Sequence, residues 1–98
     1  RFACSFARGK FRHKGWGRLR IERELRMRQV SDYCIRKAMQ EIDEGEYREA
    51  LEKALRKKAA EHAGMAPFPL KAKLLRHAAQ RGFETELSWE VLENLDLE

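Results

Sequence analysis

The stretch "KGWGRLRIERELRMRQVSD", Lys14 to Asp32, decides how this chain is read. It sets Gly15 and Gly17 on either side of Trp16, then runs through Arg18, Arg20, Arg23, Arg26 and Arg28. Ile21 and Leu25 recur at helical spacing inside the basic run, which predicts a helix over Arg18–Gln29. Gly17 stands at the N-cap of that helix. Trp16 before it and Ile21 at the fourth helical position have the spacing of a hydrophobic staple. Gly15 lets the loop turn without steric cost. The tryptophan is therefore read as holding the turn, ahead of any base-stacking role. Val30, Ser31 and Ile35 repeat the arrangement, now with serine as a side-chain cap.

Outward from this helix the apolar spacing stays helical, and no segment alternates convincingly as a strand does. The expectation is an all-α chain of six helices. Helix one covers Arg1–Arg12 with Phe2, Phe6 and Phe11 inward. After the basic helix, a third covers Asp32–Ile42 with Cys34 or Ile35, Ala38, Met39 and Ile42 inward. A fourth covers Glu46–His62 on Tyr47, Ala50, Leu51, Ala54 and Leu55. A fifth covers Pro69–Arg81 on Leu70, Leu74 and Ala78. A sixth covers Glu86–Leu95 on Leu87, Val91, Leu92 and Leu95.

The pattern also repeats. A shift of 53 residues carries Ile21 onto Leu74, Arg28 onto Arg81, Val30 onto Phe83, Ala38 onto Val91 and Ile42 onto Leu95. A shift of 45 carries Phe2 onto Tyr47 and Phe6 onto Leu51. The linker "AGMAPFP", Ala63–Pro69, absorbs the difference. The chain thus reads as two tandem three-helix, helix-turn-helix-like units, 1–43 and 44–98. Ile21, Leu25, Val30 and Phe83 are their structural residues, together with Trp16. Neither unit is large enough to be very stable alone.

Charge is divided unevenly. Residues 1–42 hold twelve Lys and Arg against four Asp and Glu, whereas residues 43–98 hold nine against twelve, so +8 and −3 give the overall +5. A basic front and an acidic end place the partner contact at the front. On the second helix arginine covers most of the surface away from Ile21 and Leu25, and Arg8, Lys10, Arg12 and Lys14 lead a second basic strip into the same turn. The candidate contact set is Arg8, Lys10, Arg12, Lys14, Arg18, Arg20, Arg23 and Arg26. Arginine serves phosphate and carboxylate alike, so nucleic-acid backbone and an acidic protein surface both remain open. The third helix, "SDYCIRKAMQEI", offers only Arg36 and Lys37, which argues against sequence-specific reading of a duplex by that helix.

Other classes find little support. His13, His62 and His77 are scattered, and neither a glycine-rich phosphate loop nor a GxSxG motif occurs. No enzyme activity, cofactor, metal or small-molecule substrate is expected. Cys4 and Cys34 lie 30 residues apart without a CxxC, as fits two reduced thiols better than a disulfide. No apolar run approaches the ~18 residues that span a membrane and no signal peptide is visible, so the expected setting is cytoplasmic. The chain opens on Arg1 rather than methionine, as a piece of a longer protein would.

The run "RFACSFARGKFRHKGWGRLRIERELRMRQVSDYCIRKAMQEI" resembles the central repeat of RecX, the bacterial regulatory protein that restrains the RecA recombinase. The features carrying it are Arg1-Phe2-Ala3, "GWG" ahead of "RLRI", Glu24-Leu25, and Val30-Ser31-Asp32 followed by Ile35. "KAKLLRHAAQRGFETELSWEVL", with "RGF" at Arg81–Phe83, resembles the repeat that follows. Two positions depart from the repeat: Pro69 falls where Trp16 stands, and Ser88 where Ile35 stands. The resemblance implies a non-catalytic regulator of tandem three-helix repeats. It would lie along the groove of the RecA–DNA filament and inhibit ATP hydrolysis and strand exchange. Its partners would be the RecA filament and single- or double-stranded DNA, with a role in recombination, DNA repair and the SOS response. The alternative from the residues alone is a general nucleic-acid-binding helical module acting through phosphate-backbone contacts.

Overall fold

A computed structural model describes residues 1–95. Six α-helices follow one another: α1 (Phe2–Gly9), α2 (Arg18–Met27), α3 (Asp32–Met39), α4 (Glu44–Glu61), α5 (Pro67–Arg81) and α6 (Thr85–Glu93). A π-helical turn, Lys10–Lys14, prolongs α1 and ends at Gly15, whose φ of 70° is the left-handed conformation that glycine adopts freely. Helix α3 packs along α1, and α2 closes the first unit; α4, α5 and α6 pack mutually in the second. The two units lie end to end in a body of 45 × 23 × 21 Å.

Local chemistry explains the boundaries. The Ser31 side chain accepts a hydrogen bond from the Cys34 N–H and caps α3. Asp43 does the same for Glu46, so α4 begins two residues earlier than expected from apolar spacing. Pro67 at the first position of α5 likewise moves that start forward from Pro69. Both α2 and α5 end in the same way. In α2 Gln29, at φ 62°, bonds back to Arg26 while Val30 bonds to Leu25; in α5 Gly82, at φ 98°, bonds to Ala79 while Phe83 bonds to Ala78. These are two Schellman ends 53 residues apart, so the repeat read from apolar positions extends to backbone geometry.

The inward face of α1 differs from expectation. Ala3, Ala7 and Phe11 are buried, whereas Phe2 is 55 % exposed and Phe6 sits half-buried on the flank. The matching buried set on α4 is Tyr47, Leu51 and Leu55, a shift of 44 rather than 45. Large phenylalanines drew the reading one position aside, while small alanines admit the close approach of α3. On α3 Ile35 and Ala38 are buried, with Cys34 and Met39 half-buried. Ser88, standing where Ile35 does in the first unit, is buried too; its hydroxyl donates to the Glu84 carbonyl and leaves no orphaned polar atom.

Candidate functional site

Helix α2 has no side-chain cap of its own, because Gly17 cannot supply one. Its first N–H groups are instead satisfied by the second unit. Tyr47 Oη accepts from Arg18 N–H at 2.9 Å, and the Gly82 carbonyl accepts from Leu19 N–H at 2.9 Å. Gly17 N–H donates to the Arg81 carbonyl at 2.7 Å. The carbonyl end of α5 thus meets the amide end of α2, a favourable alignment of helix dipoles that also removes two sets of orphan groups. Glycine is needed on both sides of this junction. A Cβ on Gly17 would lie 2.4 Å from the Gly82 carbonyl, and one on Gly82 would lie 2.7 Å from the Arg20 nitrogen.

Tyr47 is the centre of the junction. Its ring is fully buried between Phe11 and Phe83, with centroids 5.8 and 5.1 Å away. Its hydroxyl donates to Glu84 Oε1 at 2.6 Å. Burial pushes the phenol well above its ordinary range, with the hydrogen bond to Glu84 adding to the rise, so it stays neutral and keeps donating. Arg18 lies over the Tyr47 ring at 3.9 Å and pairs with Glu84 at 3.1 Å and Glu44 at 2.6 Å. Of the eight candidate contact residues, Arg18 is the one that lies on Tyr47 and pairs with two carboxylates of the second unit.

The others divide into groups. Lys10 and Arg20 flank the Trp16 ring at 4.9 and 4.2 Å, and Trp16 meets Phe6 edge-on at 6.3 Å. Lys10 also lies 5.4 Å from Phe6, Arg28 lies 5.0 Å from it, and Phe2 continues the row at 5.6 Å. Three aromatic rings and three cations therefore share one surface. Each exposed cation–ring contact is worth roughly 0.5–1 kcal/mol and holds its charge in place. Arg23 is exposed with no carboxylate in ion-pair range among the described residues, and neither Lys10, Lys14 nor Arg20 has one. Arg26 lies at the edge of ion-pair distance from Glu22 and Asp32, at 4.0 and 3.9 Å. Arg8 is paired with Glu41 at 2.7 Å, and Arg12 reaches toward Glu46 at 3.8 Å across the junction.

Arg28, Phe2 and Phe6 belong to this surface but were absent from the candidate set. For the two phenylalanines the signal was present: Phe2, Phe6 and Lys10 are spaced by four residues, and such spacing puts side chains on one helix face. The surface presents fixed cations and exposed ring edges, the chemistry that receives phosphate or carboxylate groups. Among the described residues no three His, Cys, Asp or Glu side chains gather as metal ligands, and no helix is long and apolar enough to cross a membrane. Cys4 and Cys34 are free, half-buried thiols.

Comparison with known families gives two adjoining matches. Residues 1–39 match the model of the second three-helix domain of RecX, and residues 45–92 match that of the third. No curated protein and no solved structure matches the chain.

Proposed function

The chain belongs to the RecX family, as second and third three-helix domains, and from that premise we propose that it is a non-catalytic regulator that binds the RecA–DNA filament. In this reading it works in the cytoplasm, and binding inhibits RecA's ATP hydrolysis and strand exchange. The division into units at 43/44 follows the same reading. The observation that carries the contact surface is the ring–cation row Phe2–Phe6–Trp16 with Lys10, Arg20 and Arg28, to which Arg23 and Lys14 add charge that meets no carboxylate in ion-pair range among the described residues. Fixed, unneutralised cations on a rigid helix favour fast, charge-steered association with an acidic surface or exposed phosphates, weakening as salt rises. Arg8, Arg12 and Arg26 add charge around it. Arg18 contributes by holding the two units in register.

The test is the pair of charge reversals Arg23→Glu and Arg26→Glu. Both side chains are exposed on α2, so the fold should survive. Inhibition of RecA ATP hydrolysis should then require at least about tenfold more protein, which corresponds to about 1.4 kcal/mol. Inhibition unchanged by both reversals would remove this surface from the reading.

A second reading has its own observation. The Phe2, Phe6 and Trp16 edges interleaved with cations are also what a single-strand-binding surface uses, stacking bases while cations follow the backbone. A general nucleic-acid module of this kind would bind naked DNA without RecA, with affinity falling steeply with salt. A flat salt response excludes it.

A further inference from the structure

We infer that the cleft between the two units is a second anion site, built to take a short chain of phosphates. It lies between the π-helical turn after α1, the middle of α4 and the end of α5, and encloses about 480 Å³. Five of its lining residues are cationic (Arg12, Lys53, Lys57, Lys58 and Arg81) against one acid, Glu61, which is held by Lys58 at 3.6 Å. Most of these cations come from the half of the chain whose overall charge is negative.

Lys53 and Lys57 stand four apart on one face of α4, so two like charges lie side by side there. Neither has a carboxylate in ion-pair range among the described residues. They are about 6 Å apart along the helix axis, close to the step between successive phosphates of an extended strand. Concave, partly apolar walls concentrate such a field, and Phe11 and Phe83 supply those walls here. His77, on the same cleft, is held below its ordinary range first by burial and then by Lys58 and Arg81, with Glu61 opposing.

Arg81 is fixed before any ligand arrives. Its guanidinium donates to the Lys14 carbonyl at 2.8 Å and to the Gly15 carbonyl at 3.3 Å. A Cβ on Gly15 would sit 2.3 Å from Arg81 Nη2, so the glycine also makes room for this seat. A cation anchored in this way loses little freedom on binding. Several cations in so small a concavity suit one compact ligand with a charge on every unit. Carboxylates on separate, flexible side chains would fit it less well. Two sources share this chemistry: consecutive phosphodiesters of a nucleic-acid strand, and the free phosphate chain of a nucleoside triphosphate.

The experiment uses the 98-residue chain and its Lys53→Glu/Lys57→Glu variant, with circular dichroism confirming that both are folded. One arm measures anisotropy of a labelled single-stranded oligonucleotide across a salt series. The other measures calorimetric binding of ATP and of inorganic tripolyphosphate. A strand in the cleft predicts at least about tenfold weaker oligonucleotide binding by the variant and a salt slope shallower by about 1.4, or ~0.7 for each phosphate the variant leaves unneutralised. A free phosphate chain predicts binding of ATP and tripolyphosphate that the variant loses. Either loss supports the site and identifies its ligand. If wild type binds none of these probes, or the variant binds all of them as wild type does, the cleft is no anion site. RecA is absent from this experiment, so it can fail while the filament reading stands, and the reverse.

Discussion

Replacing Tyr47 by phenylalanine tests the junction at a single oxygen. The ring keeps its place between Phe11 and Phe83, so no cavity opens. Two interactions go. Arg18 N–H loses its acceptor at the start of α2, which costs about 1–3 kcal/mol for a partly buried donor left alone. Glu84 loses a 2.6 Å donor, a charge-assisted bond worth roughly 1.5–3 kcal/mol, part of which Arg18 retains through its own contact with Glu84. The net expectation is about 3 kcal/mol. For a chain of this size each kcal/mol moves Tm by roughly 4–8 °C, so thermal unfolding followed by circular dichroism should shift down by about 12–24 °C. Glu84→Gln keeps an acceptor for Tyr47 but weakens the hold on Arg18, and the two changes together should cost less than their sum. A Tyr47→Phe shift under about 4 °C would refute the idea that the second unit caps the first.

Other expectations follow from the same geometry. Gly17→Ala places a methyl against the Gly82 backbone and should cost about 1–3 kcal/mol, read as a lower denaturant midpoint. Gln29→Gly relieves a left-handed residue that glycine adopts freely, and should raise stability by roughly 0.5–1 kcal/mol in the same assay. His77 has its proton affinity lowered by folding, so the unfolded chain binds the proton better; stability should fall as pH drops below about 6.5, and His77→Gln should flatten that part of the pH profile. Equal pH dependence in the two proteins would count against a half-buried, cation-flanked histidine.

What could be read from sequence was what depends on near neighbours. Helical spacing, the Ser31 cap and the 53-residue repeat all act over a few residues or by self-similarity, and six helices follow from them. The missed starts of α4 and α5 had local signals as well: Asp43 three residues before Glu46, and Pro67 at a first helical turn. The face of α1 was misread because burial there depends on small residues meeting α3, which a preference for large apolar side chains overlooks. Arg18 could not be told from its basic neighbours, since its partners Glu44 and Glu84 lie 26 and 66 residues away. Gly17 carries an ordinary φ of −82°, and its need for glycine arises only from the approach of Gly82. The basic cleft was hidden for a related reason: its lysines belong to a segment whose net charge is negative, and only folding sets them opposite Arg12 and Arg81.

The most direct test of the proposed function is RecA's single-strand-DNA-dependent ATP hydrolysis, titrated with this chain. The reading predicts inhibition at fewer than one chain per RecA, since a filament-bound regulator acts on more than the protomer it touches. A folded chain that leaves hydrolysis unchanged even in excess over RecA would contradict it.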